Sequence, residues 1–148
     1  MKTMKYVMLL CVICTLAMFN IDTAQAKKRK IPKVYMFGFS ASFNDSTIYM
    51  TDIQEVDSAW IDDKSHFLQG RGIYAQQLKD YLTTAIQQPN RICMVMYSET
   101  LKDIEKQYVK MKRLYTKKSK MPYDIHYLDE TMFHFEKIQL YFEEDDNL

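Results

Sequence analysis

Cysteine, glycine and proline are all scarce, three of each in 148 residues. Cys11 and Cys14 fall in an apolar N-terminal run, which leaves Cys93 alone in the rest of the chain. A lone cysteine cannot close an internal disulfide, so packing must hold the fold. With only Gly38, Gly70 and Gly72 available, there is little material for long flexible linkers. Several catalytic and binding signatures are also missing. There is no G-x-G-x-x-G or P-loop for a nucleotide, no D-x-[DN]-x-[DN]-G loop for calcium, no H-E-x-x-H for zinc and no G-x-S-x-G elbow for a serine nucleophile. An excess of charge of one sign is lacking too, with 20 basic against 19 acidic residues. A near-zero balance gives no reason to expect nucleic acid as a global partner.

What is present begins with the N-terminus. Lys2 and Lys5 precede an apolar run, Tyr6 to Phe19, and a short polar stretch ends in Ala24-Gln25-Ala26. This is the layout of a secretory signal peptide with an A-x-A cleavage site. The run is shorter than the ~20 residues a helix needs to cross a bilayer. Leu10 and Ile13, which precede the two leader cysteines, do not fit a lipoprotein signal. The expected product starts at Lys27, is periplasmic or extracellular, and carries no transmembrane segment. Removal of Lys2, Lys5 and Asp22 leaves equal numbers of acids and bases. The expected organisation is a signal peptide over 1–26, a basic arm over 27–30, one α/β domain over 31–142 and an acidic tail over 143–148.

Alternation and β-forming composition over 33–43, a turn at Asn44-Asp45-Ser46 and a return strand over 47–56 predict an antiparallel hairpin. Residues 57–72 read as a connecting loop. The period then changes. Tyr74, Leu78, Tyr81, Leu82 and Ala85 recur at three and four, predicting a helix over 73–86 that "QQPN" stops. "RICMVMYS" at 91–98 is apolar on both faces, as a central strand would be. A second helix has Leu101, Ile104, Tyr108, Met111 and Tyr115 along its stripe, capped either by Ser98 or by Thr100 with Asp103 as a box-like pair. "YDIHYL" at 123–128 reads as a strand, and 132–142 as a last strand or an irregular cover. The expected fold is a two-layer α/β sandwich with a mixed sheet, an N-terminal antiparallel hairpin and two helices, in the order ββαβαβ. One helix on each face is the competing arrangement.

The stretch "FGFSASF" sets bulky side chains against bare ones. On a strand, Tyr35, Phe37, Phe39, Ala41 and Phe43 share one face, and Val34, Met36, Gly38, Ser40 and Ser42 the other. Either a helix approaches the bare side closely, or Ser40 and Ser42 floor a shallow ligand groove. Between Val34 and Asp63 there are six acids and no base, which reads as a solvated hairpin edge more readily than as a calcium site. "KMKRLYTKKSK" at 110–120 is basic throughout. It suits an anionic glycan or nucleic acid, or simply complements a helix C-terminus. His126 and His134 flank Asp129 and Glu130, but their spacing is not that of a zinc site.

The run "VYMFGFSASFNDSTIYMTDIQEVDSAW" together with "KMKRLY" resembles small exported proteins of unknown function from Bacteroides-type bacteria. The resemblance implies export and brings no activity, ligand or site residue. The sequence thus predicts an exported, non-catalytic binding or interaction module for a protein, peptide or glycan. No cofactor or metal is expected, and Tyr49, Trp60, Phe67, Ser40 and Ser42 are the candidate contacts. The alternatives are a small exported hydrolase or metal-dependent enzyme, and a structural or envelope-associated protein that oligomerises through a free edge strand.

Overall fold

The computed structural model describes residues 27–142. The expected leader (1–26) and acidic tail (143–148) lie outside the described residues. Five strands and two helices follow in the order β1 (Lys28–Ala41), β2 (Thr47–Thr51), β3 (Gln54–Asp62), α1 (Arg71–Thr84), β4 (Ile92–Ser98), α2 (Leu101–Thr116) and β5 (Asp124–Leu128). This is the expected α/β class, with a mixed sheet opened by an antiparallel hairpin and two helices.

β1 is the organising strand. Tyr35 pairs with Glu55 of β3 and with Ser98 of β4, and Phe39 pairs with Met50 of β2 and with Met94 of β4. β2 and β3 therefore share one edge of β1, and β4 takes the other. β5 lies outside β2 in parallel register. β1 alone runs against the other four strands.

The expected return strand over 47–56 is interrupted and then continues. Between the pairs Phe39–Met50 and Met36–Gln54, residues 51–53 oppose only Phe37 and Gly38. That extra residue is a β-bulge. The Thr51 hydroxyl fills it, accepting from the Gly38 N–H at 2.8 Å and donating to the Asp52 carbonyl at 2.9 Å. The bulge reverses the facing of even-numbered residues. Ile48 and Met50 lie in one core cluster, Val56 in the other. Strand then runs on to Asp62, through residues expected as loop. The first residues of the expected basic arm are strand as well, with Lys28, Arg29 and Lys30 paired to Asp62, Ile61 and Trp60.

Helix-on-sheet packing occurs on both faces. α1 buries Tyr74, Leu78 and Leu82 at a four-residue spacing against Val34, Met36, Val56 and Val95. α2 lays Ile104, with Tyr108, Met111 and Tyr115 half-buried, against Phe37, Phe39, Ile48 and Met50. Gly38 is what lets α1 in. A Cβ there would sit 2.6 Å from Leu78 Cδ2 and 3.2 Å from Phe135 Cζ. The bare side of the "FGFSASF" stretch is thus the seat of a helix, and its aromatic side fills the opposite layer. The exception is Phe43, which lies past the end of β1 and is exposed.

Among the described residues β4 pairs only with β1 and is an edge strand, not the expected central one. Its two apolar faces reflect a helix above and a helix below, not strands on either side. Of the two cap candidates, Thr100 with Asp103 is the one that caps α2, with Thr100 Oγ1 accepting from the Asp103 N–H at 3.3 Å. Residues 132–142 form an irregular cover over the α1 face, with Phe133 and Phe135 buried beside Tyr81 and Tyr74. Two glutamine amides hold this strap as a neighbouring strand would. Gln54 donates to the Phe133 carbonyl and accepts from the Phe135 N–H, both at 2.8 Å. Gln77 does the same at the Glu136 carbonyl and N–H, both at 2.9 Å.

Candidate functional site

The five sequence-predicted contacts do not converge. Ser40 is fully buried and takes the Cys93 thiol as its neighbour at 3.5 Å. Tyr49 is 6% exposed, enclosed by the Arg91 guanidinium at 4.8 Å and the His126 ring at 5.2 Å. Neither has surface to offer a ligand, which removes Ser40 from the expected groove and Tyr49 from the expected aromatic contacts. Ser42 is half-buried and occupied in the hairpin turn, accepting from the Asn44 N–H at 3.1 Å. Trp60 is half-buried against Phe142. Phe67 is 44% exposed with Arg71 stacked over it at 4.9 Å.

Trp60 and Phe67 do mark one end of the molecule. Antiparallel hydrogen bonds, Asp62 N–H to Phe67 carbonyl and Gln69 N–H to Trp60 carbonyl, fold 60–69 back on itself. Asp62 secures the turn by accepting from the N–H groups of Lys64 and Ser65 and from the Ser65 hydroxyl. An ion network lies beside it. Arg29 reaches Asp63 at 2.9 Å and Glu99 at 3.1 Å, and Glu99 accepts from His66 Nδ1 at 3.0 Å. Burial opposes ionisation of Glu99, but hydrogen bonds from His66 and Arg29 outweigh it and hold its carboxyl below the usual range. The network is exposed and structural in character, tying the start of β1 to the end of β4.

The geometry needed for nucleophilic catalysis is a nucleophile beside a base. His66, His126 and His134 each meet a carboxylate, Glu99, Asp124 and Glu136 in turn. Among the described residues no histidine ring hydrogen-bonds a hydroxyl or thiol; the Tyr97 hydroxyl reaches only the His66 carbonyl. Burial pushes the Cys93 thiol up, away from the reactive thiolate form. No group of three His, Cys, Asp or Glu side chains suited to a metal occurs among the described residues. The start of α1 reads Gly70-Arg71-Gly72-Ile73-Tyr74-Ala75, which approaches a dinucleotide fingerprint. Gly70, at φ 72°, lies under the Ile138 side chain of the strap, so a left-handed turn and a close packing contact account for this glycine.

The sheet edges are more informative. The half of β1 beyond the reach of β4, residues 28–34, leaves one edge open and carries Lys28, Arg29, Lys30, Pro32 and Lys33. Charges and proline are the usual guards against strand pairing. β5 carries Asp124 and His126. β4, Ile-Cys-Met-Val-Met-Tyr-Ser, has no charge and no proline. Ile92 is 49% and Met94 41% exposed along it. Leu114, 42% exposed, leaves α2 on the flank opposite Lys112, whose ammonium lies over Tyr127 of β5. Leu114 is therefore on the β4 side, extending the apolar strip. Behind the edge, buried Arg91 anchors the preceding loop by a two-oxygen contact to Asp45 at 3.0 Å and a bond to the Thr47 carbonyl at 2.9 Å.

Sequence reasoning passed over this edge because "ICMVMYS" looks like an interior strand. The signal was in the connections. β3–α1–β4 and β4–α2–β5 step across the sheet in opposite directions, so two right-handed crossovers must lie on opposite faces. With β4 at the edge, that places a helix against each of its faces and makes both apolar. Comparison with family models, curated proteins and solved structures finds no match for the chain.

Proposed function

We propose that the protein is an exported, non-catalytic interaction module that binds an extended, apolar protein segment by strand addition along β4. One observation carries the reading. β4 is the long edge of the sheet that lacks the charges and proline guarding the open half of β1, and it is flanked by exposed Ile92, Met94 and Leu114. Main-chain hydrogen bonds would supply affinity, and the side chains alternating on the two faces would supply selectivity. Export rests on the leader pattern of the sequence, and the resemblance to exported Bacteroides-type proteins agrees with it.

A displayed-peptide selection on the immobilised protein, counter-selected with Met94→Lys, tests this. Enriched peptides should be uncharged, rich in β-branched and aromatic residues, and lost from the variant. Enrichment of peptides that bind the variant equally well would sink the proposal. Sedimentation of the two proteins over a concentration series identifies a second copy as the partner if only the parent self-associates.

A further inference from the structure

We propose that the outer face of α2 is a binding site for a linear acidic polysaccharide, adjoining the β4 strip at Leu114. Lys102, Lys106, Lys110, Arg113 and Lys117 recur at intervals of four, four, three and four residues. On a helix that spacing makes a single row about 22 Å long and roughly 80° wide, with neighbours about 5–6 Å apart along the axis. All five are exposed, and no acid falls within the row. Among the described residues only Lys106 has an ion-pair partner, Asp103 at 3.1 Å. Helix-dipole complementation accounts for cations in the last turn, at Arg113 and Lys117, and not for Lys102 and Lys106 in the first two. A shallow open depression follows the same face, lined by cations of the row and Lys118 around Val109, with Glu105 and Leu114 also on its wall.

The shape of the row selects among anions. A narrow line of cations at one helical turn per charge matches a polymer carrying one acidic group per sugar or two. Single-stranded nucleic acid needs aromatic platforms for its bases. Tyr108 and Tyr115 are turned inward, onto Phe37 at 5.0 Å and Phe39 at 5.0 Å. A bilayer surface favours helices that turn an apolar face to lipid, and the apolar face of α2 is committed to the sheet through Ile104.

The test titrates the purified protein with heparin fragments at several salt concentrations, beside neutral dextran, oligo-dT of equal charge and anionic vesicles. The row variant is Lys102→Gln, Lys110→Gln and Lys117→Gln. The control variant, Lys64→Gln, Lys79→Gln and Lys137→Gln, removes the same charge from exposed sites off the row. Heparin binding should weaken about ten-fold in the row variant, with a shallower salt slope, and less than about two-fold in the control. Equal losses in both variants, or tighter binding of oligo-dT or vesicles than of heparin, would overturn the assignment. Unchanged thermal unfolding of both variants excludes misfolding as the cause.

Discussion

The two faces of the sheet are built to different standards. On the α1 side, three helix residues are fully buried and a C-terminal strap is fastened over them by two glutamine amides. On the α2 side, Ile104 is the one buried helix residue, and its aromatic neighbours remain half-buried. The α1 face behaves as the structural core. The α2 face is the thinner layer, and both proposed contact surfaces, the β4 strip and the row of cations, belong to it. A small domain without disulfides must place most of its apolar burial somewhere, and concentrating it on one face leaves the other available for partners.

Mutations can break this contrast. Leu78→Ala should cost about 4 kcal/mol, because Leu78 is fully buried where α1, Gly38 and the strap meet and the site cannot collapse. Ile104→Ala, equally buried, should cost about 2–3 kcal/mol, since half-exposed Tyr108 and Met111 can relax into the space. Urea denaturation of both variants checks the order, and a larger loss for Ile104→Ala would reverse the comparison. Gln54→Ala should cost about 1–3 kcal/mol by leaving the buried Phe133 carbonyl and Phe135 N–H without partners. The equivalent change at exposed Gln77 should cost under about 1 kcal/mol, because water replaces the amide.

The smallest effect is a pH dependence. A hydrogen bond from the Thr47 N–H, reinforced by Arg91 against the opposing cost of burial, holds the Asp45 carboxyl below its ordinary value. A depressed folded-state value means the contribution is present above the ordinary aspartate range, near pH 4, and is lost as pH falls through the lower folded value. Melting temperatures between pH 5 and 2.5 should therefore fall less steeply in Asp45→Asn than in the parent. Parallel acid limbs in the two proteins would show that the Arg91–Asp45 contact adds nothing to stability.

Much of the element order was legible. Periodicity located both helices to within about two residues, and the Thr100–Asp103 cap marked the start of α2 because capping is a local interaction. The alternation around Gly38 anticipated a helix against the bare side of β1. The extent of β3 was hidden because the bulge at 51–53 shifts the alternation by one, so Val56, Ala59 and Ile61 no longer continue the pattern of Ile48 and Met50. Ser58, at φ 57° opposite Pro32, adds a second break in the same strand. The candidate contacts fared worse. Tyr49 and Ser40 were chosen for chemistry that suits a surface as well as a core, and only neighbours distant in sequence, Arg91 and Cys93, decide between the two.

By itself, the sequence determined that residues 27–142 hold one cysteine and so no disulfide among themselves, alternate strands with two amphipathic helices, and carry a cationic run and an apolar strand of unusual purity. Those are properties of composition and short-range period. Only the tertiary structure decided that the apolar strand is an edge, that the cations of α2 form one outward row, and that Gln54 and Gln77 clasp a strap more than fifty residues away. Such facts depend on which strand claims each side of β1 and on which face each crossover takes. They follow from the assembled sheet, since local spacing fixes where a side chain points along its own element and leaves open what lies across from it.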